Sequence, residues 1–145
     1  ISRIDYFAIL QAIKTQLEAA ASLSGVTVVI EEPLYNPRGS AIFIYLDRRD
    51  APTEQGFAAN TRLLERLRIS IWCFHFGLDL IGAIEARDDL LGNTEVALMT
   101  DDTFSGAADA SWITGGEFLS ALTEEEDFMS GAEIVLMVDA ILTTT

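Results

Sequence analysis

The sequence contains a single cysteine, Cys73, so the chain cannot form an internal disulfide bond. A reducing compartment therefore suits it, and an oxidising one is not required. No apolar run approaches the ~18 residues that a membrane-spanning helix needs. The first residues also lack the basic, apolar and small-residue order of a signal peptide. We therefore expect neither a signal peptide nor a membrane partner.

Positive charge is scarce and confined to one part of the chain. Nine Lys and Arg residues stand against 23 Asp and Glu residues, which gives a net charge of −14. Residues 1–87 hold all the basic residues and ten acidic ones, whereas residues 88–145 hold thirteen acidic residues and no Lys or Arg. This balance argues against a surface that grips nucleic acid, because phosphate binding requires clustered basic side chains.

Two interpretations of the charge asymmetry stay open. In the first, the acidic residues only keep the surface soluble. In the second, a basic surface of one subunit meets the acidic half of the next, which is a head-to-tail contact that can close into a ring.

Hydrophobic periodicity predicts the helices and the shorter strands of the fold. The chain has 145 residues, half of them hydrophobic, which is enough for one domain with a substantial core. Apolar residues at helical spacing predict two helices, and β-branched runs predict strands. The predicted helices cover residues 5–23 and 79–91, with 95–99 able to add a turn, and the shorter strands cover 26–30, 41–46, 112–113 and 132–142.

Residues 62–76 form the longest predicted strand and the centre of the fold. They contain no Gly or Pro, and extended they would span about 50 Å, more than a usual strand. We expect the second half to be covered on both faces, and the strand to reach beyond its own domain to a neighbouring subunit. The predicted class is α+β: a single domain, 1–145, with a mostly antiparallel sheet and two main helices. One face of this strand would carry arginines and then aromatics, namely Arg62, Arg66, Arg68, Trp72, Phe74 and Phe76.

The connections carry most of the turn-forming and charged residues. Strands 26–30 and 41–46 are predicted to form a hairpin around a Pro-containing turn. Residues 47–61 are predicted to be a long polar loop, either flexible or an arm that orders on meeting a partner. Residues 120–130 are predicted to be an acidic loop. The C-terminal strand is apolar on both faces, so we expect it to pair with the central strand.

No constellation of residues points to catalysis or to a metal. Cys73 and His75 share a strand face, but no further ligand or base lies at a matching spacing. Residues 101–106 begin like a calcium-binding loop, yet Trp112 occupies the twelfth position, where the EF-hand needs Glu. We therefore predict no cofactor, no metal and no enzyme activity. The alternative of another class is a small-ligand-binding α+β domain or enzyme with a pocket at Trp72, Phe74 and Phe76, although such aromatics are more often core.

Three stretches carry a family resemblance. They are the N-terminal helix sequence IDYFAILQAI at residues 4–13, the Arg-containing strand that ends in ISIWCF at residues 69–74 and leads into a helix, and the terminal strand GAEIVLMV at residues 131–138. In their order and style they resemble the tail-terminator, or tail-completion, proteins of tailed phages.

The resemblance implies a structural virion protein that forms a homohexameric ring at the head-proximal end of the tail tube. Such a ring ends tube polymerisation and provides the surface that joins head to tail. The implied partners are other copies of the chain, the tail tube protein and a head-completion or neck protein, while DNA passes through the lumen without sequence-specific binding. A head-completion or neck protein, or another tail subunit of related fold, is the alternative within this class.

The charged residues supply the candidate contact sites between subunits. Arginine can form bidentate bonds with the carboxylates of a neighbour. The alternative is that these arginines form local ion pairs and that the acidic run is a solvated loop. The candidates are Arg48, Arg49, Arg62, Arg66 and Arg68 on the basic side, and Glu124, Glu125, Glu126 and Asp127 on the acidic side.

Overall fold

Two α-helices and a six-stranded sheet organise the chain in the computed structural model, which describes residues 4–31, 39–50, 62–122 and 128–143. For 62–64 and 141–143 the backbone alone is described. The predicted α+β class is confirmed. In chain order the elements are α1 (Tyr6–Glu18), a 3-10 turn (Ala21–Leu23), β1 (Thr27–Ile30), β2 (Ser40–Asp50), β3 (Arg62–Gly77), α2 (Leu80–Met99), β4 (Ala110–Gly115), β5 (Phe118–Leu122) and β6 (Phe128–Thr143).

The sheet is built around β3 and β6. The strand order is β1, β2, β3, β6, β4, and β5 also pairs with β6. β3 and β6 are antiparallel along their whole lengths, from Arg62 opposite Thr143 to Gly77 opposite Phe128. The long central strand and its pairing with the C-terminal strand are therefore confirmed. β3 does not extend alone, however, because β6 stays paired with residues 62–65, beyond the described pairing of β2 with β3 and of β4 with β6.

The predicted hairpin of the first two strands is wrong. β1 and β2 run parallel, with Thr27 opposite Ala41 and Ile30 opposite Ile44. A hairpin requires a tight reversal of about two to five residues. Here nine residues, 31–39, separate the two strands, and β2 begins beside the start of β1 instead of beside its end.

Several predicted boundaries are also wrong. Residues 47–50 belong to β2, residues 118–122 to β5 and residues 128–130 to β6. The predicted loops at 47–61 and 120–130 therefore overlap strands. Residues 51–61 and 123–127 lie outside the described residues. α1 ends at Glu18. α2 begins after its predicted N-cap, Asp79, whose carboxylate accepts a 2.6 Å hydrogen bond from the Gly82 N–H. It then continues through Gly92, because Leu90 and Leu98 pack into the core on either side and tertiary packing outweighs the poor helix propensity of glycine.

Both helices pack on one face of the sheet. α1 buries Ile13 and Leu17 against a face that includes Leu67, Ile69 and Ile71 of β3. Alternation along the strand places these three side chains on the same side, and burying each one fully contributes roughly 1.5–3 kcal/mol. No helix in the described part of the chain is both long and apolar enough to cross a membrane.

Cys73 belongs to this core and is fully buried. Its Sγ lies 3.6 Å from the Thr94 Oγ1 on α2, while His75 instead pairs through Nδ1 with the Ser40 Oγ at 2.8 Å. The two side chains therefore have separate partners. Burial raises the pKa of the Cys73 thiol to about 12, so the reactive thiolate is scarce at neutral pH.

We expect the native protein not to react with Ellman's reagent during a period in which the chain unfolded in guanidinium chloride reacts completely. The thiol must be both exposed and deprotonated to attack the reagent, and the fold prevents both. Absorbance at the wavelength of the released thiolate measures the reaction. Native protein that reacts as fast as free cysteine would contradict the buried position of Cys73.

Candidate interaction surface

The side of the sheet opposite the two helices, which we call the open face, carries no helix in the described ranges. Strand alternation brings the second set of β3 side chains to it, together with residues of β2, β4 and β6. The face has an aromatic half, at the end of the sheet where β3 finishes, and an arginine half toward the start of β3.

The aromatic half packs against itself. The Phe74 ring stacks on Trp72 with 5.4 Å between centroids and meets Phe43 edge-on at 5.8 Å. Gly131 on β6 makes room for it, since a Cβ there would lie 2.6 Å from the Phe74 Cε1. Phe43 and Phe74 are buried on this face, while Ile71 and Cys73 are buried on the helix side, so the second half of β3 carries buried side chains on both faces, as predicted. The aromatics form a small core, which favours packing over a ligand pocket.

The arginine half depends on a β-bulge in β2. Arg48 lies directly opposite Arg68, and like charges in that position destabilise a strand pair. The register shifts by one residue between Leu46 and Arg48, and Asp47 is the extra residue. Its carboxylate lies 3.2 Å from the Arg68 Nε, while the Arg48 Nε lies 3.1 Å from Asp50. The two acids offset the repulsion, which explains why residues 47–50 extend the strand.

Arg66 is held by two neighbouring strands. Its guanidinium donates to both carboxylate oxygens of Asp139 on β6, from Nε at 2.8 Å and from Nη2 at 3.1 Å. It also lies 4.9 Å from the centroid of the Trp112 ring on β4, within the range of a cation–π contact. The hydrogen bond to Asp139 raises the pKa of Arg66. Arg66 is therefore a fixed, permanent positive charge beside an indole ring.

A cleft of about 570 Å³ opens over the arginine half. The side chains of Arg48, Arg66 and Arg68 are 59%, 35% and 34% exposed. A guanidinium has five N–H donors, and the contacts above use only one or two per arginine. The Arg68 Nε lies close to Asp47 without being aligned for a hydrogen bond, and this atom is itself buried. Among the described residues, other N–H groups of these guanidinium groups have no hydrogen-bond partner, and the three arginines line a cleft whose walls also include Trp112, Glu133 and Met137.

The structure brings three of the predicted arginines together and separates a fourth. Arg48, Arg66 and Arg68 share the open face. Arg49 lies opposite Leu67 on the helix side, with its Nε 3.3 Å from Glu65, which also accepts a 2.6 Å hydrogen bond from the Tyr6 hydroxyl. Each of the four has a carboxylate within its own chain, and their role between subunits stays a prediction. The side chain of Arg62 and all of Glu124, Glu125, Glu126 and Asp127 lie outside the described residues.

Sequence reasoning missed the partners that complete this surface. Trp112 was recognised only as a strand residue, and Asp139 was not singled out at all. The feature of the sequence that could have indicated them is the alternation of side chains between the two faces of β4 and β6. Asp139 and Met137 both fall on the face opposite the buried Leu136 and Val138. That signal becomes useful only once the pairing of the strands is known.

No protein-family model matches the sequence, and no curated protein matches it. Among solved structures, the chain is similar to the sheath/tube terminator of an extracellular contractile injection system, PVC, determined in the extended state by cryo-electron microscopy. The sequences are 12% identical, the TM-score is 0.49, and the match covers 100% of this chain and 61% of that chain. At this identity and TM-score the similarity carries no functional conclusion.

Proposed function

We propose that the protein is a structural subunit of a phage tail that assembles into a ring at the head-proximal end of the tail tube. The ring ends tube polymerisation and provides the surface that joins head to tail, and it acts by shape without catalysis. The observation that carries this proposal is the open face, where three arginines and Trp112 line a cleft while both helices cover the opposite side. The sequence resemblance described above supports it.

The helix side also has features of a contact surface. Soluble monomers rarely expose large contiguous apolar patches, so exposed apolar side chains favour burial against another protein. Because the open face and the helix side point in opposite directions, a contact between them is head-to-tail, and such contacts close into a ring when the rotation allows. The most exposed large apolar side chains lie on α2, just before it or on β5, namely Leu78 (88%), Ile81 (78%), Phe118 (66%), Met99 (65%) and Val96 (63%).

The negative charge suits a ring through which DNA passes. Thirteen of the 23 acidic residues lie in 88–145, where Lys and Arg are missing. We propose that part of this acidic half lines the lumen, because negative walls repel phosphates and let DNA slide instead of holding it. The tail tube protein and a head-completion or neck protein would contact the two ends of the ring.

Two measurements on the purified chain test the proposal. Native mass spectrometry with negative-stain microscopy is expected to show a ring, with six copies as the expected number. Added in small amounts to polymerising tail tube protein from the same genome, the ring is expected to shorten the tubes. A chain that stays monomeric at high concentration contradicts the ring. A ring that leaves tube growth unchanged but binds the head-completion protein would indicate the neck role instead.

A further inference from the structure

The helix α2 carries apolar side chains on its outer as well as its inner side. Ala83, Leu90 and Leu98 face the core. On the outside, Ile81, Val96 and Met99 are 78%, 63% and 65% exposed. Large exposed apolar side chains on the outer side of a helix favour burial against another protein. The outward side chains follow helical spacing and define the α2 stripe, which consists of Ile81, Glu85, Asp89, Gly92, Val96 and Met99.

Gly92, near the middle of the stripe, has no visible purpose within the described part of the chain. A Cβ at this position would meet nothing within 4 Å. Glycine inside a helix costs roughly 0.5–1 kcal/mol relative to alanine. A second surface that approaches the helix backbone closely would explain the missing side chain.

The charge on the stripe is of one sign. Arg87 is the one basic residue of α2, and its side chain is 12% exposed because it turns toward the ring of Phe118, 4.7 Å away, and the Ser130 hydroxyl. It also pairs with Asp88 at 2.9 Å. Within the ranges that the structure describes, Glu85 and Asp89 are exposed and have no ion pair with a basic residue. These carboxylates can accept hydrogen bonds from another molecule.

We propose that the α2 stripe of one copy docks on the open face of the next copy. Glu85 and Asp89 then accept hydrogen bonds from the spare donors of Arg48 and Arg68, and the apolar end of the stripe packs beside Trp112. This inference rests on the proposed ring and deepens it, because it names the acidic partner of the arginine half.

The lengths of the two surfaces support the docking of the α2 stripe on the open face. From Ile81 to Met99 the stripe rises about 27 Å along α2, at about 1.5 Å for each step from one residue to the next. The open face runs about 34 Å along β3 from Arg66 to Phe76, so the whole stripe fits along it. The two surfaces lie on opposite sides of one sheet, so each copy can offer one surface to each neighbour. That is the head-to-tail contact from which rings form.

A charge swap tests the proposal. The variant Glu85→Lys/Asp89→Lys and the variant Arg48→Glu/Arg68→Glu are each expected to weaken self-association by about 100-fold, because like charges then face each other. The chain that carries all four changes is expected to recover association, since opposite charges meet again. The control Glu18→Lys/Asp102→Lys makes the same charge change at two exposed positions outside the stripe and is expected to associate as the wild type does.

Sedimentation velocity measures association, and circular dichroism verifies that each variant is folded. If a charge variant does not fold, the Gly92→Gln variant decides. A Cβ at this position meets nothing within 4 Å in its own subunit, but the added side chain would keep the neighbour away, and a loss of association of at least about tenfold is expected. If the wild type forms rings and the Glu85→Lys/Asp89→Lys and Gly92→Gln variants associate as strongly, the docking of the α2 stripe is contradicted while the proposed ring stands. A wild-type chain that never associates would overturn the proposed ring as well.

Discussion

Replacing Gly116 with alanine is expected to lower the free energy of unfolding by about 3 kcal/mol or more. An added Cβ would lie 1.7 Å from the carbonyl oxygen of Glu133 and 2.5 Å from its carbonyl carbon. Both atoms belong to the backbone of β6, which cannot rotate away as a side chain can. The nearby Glu133 N–H also donates a 2.7 Å hydrogen bond to the Glu117 carbonyl, so making room for the methyl group would pull the chain between β4 and β5 off β6.

Thermal unfolding followed by circular dichroism measures the effect, and the midpoint is expected to fall by about 10 °C in a chain of this size. Gly92→Ala is the matched control. It adds the same methyl group where nothing lies within 4 Å, and helix propensity predicts a gain of roughly 0.5–1 kcal/mol. Opposite signs for the two variants would support the close approach at Gly116. A Gly116→Ala protein as stable as the wild type would show that β6 does not come so near.

The parts of the fold that could be predicted from sequence are those whose signal is local. β3 and β6 are long, free of Pro and rich in apolar residues, so alternation alone places Leu67, Ile69 and Ile71 on one buried face. The start of α2 could be predicted because the side chain of Asp79 caps the residues directly after it.

The parts that could not be predicted depend on contacts between distant residues. The parallel pairing of β1 with β2 has no signal within either strand, and the end of α2 is set by core packing beyond Gly92. Arg48 and Arg49 were grouped because they are neighbours in sequence, yet the strand sends them to opposite faces. Their acidic partners could be identified only from the register with β3.

The same limit applied to the candidate surface. Arg66 and Arg68 were expected on one face of β3, and the structure places them there. Trp112 and Asp139 come from strands more than 40 residues further along the chain, and only the pairing of β4 with β6 and of β6 with β3 brings them to Arg66. Trp and Arg are both enriched among the residues that carry most of the binding energy of protein contacts, so an exposed indole beside a fixed guanidinium favours such a contact.

We therefore expect Trp112→Ala to weaken self-association by about 30-fold or more while the subunit stays folded. Truncating an aromatic anchor at the centre of an interface typically costs at least about 2 kcal/mol, which corresponds to that factor. The residue is 38% exposed on an edge strand, so its loss removes little from the core. Sedimentation velocity gives the association constant. Both tryptophans of the chain, Trp72 and Trp112, lie on the open face, so a blue shift of the emission with rising concentration gives a second readout.

The matched control for this prediction is Phe7→Ala, which truncates an aromatic side chain that is 57% exposed on α1. Phe7 lies on neither the α2 stripe nor the open face, so its variant is expected to associate as the wild type does. If Trp112→Ala associates normally, the arginine half of the open face is not a subunit contact, and its ion pairs serve only the sheet that they bridge. If Phe7→Ala weakens association as much as Trp112→Ala does, the subunit contact also involves α1. If Trp112→Ala has no effect, the charge asymmetry of the chain would instead have to be explained by the ends and the lumen of the proposed ring.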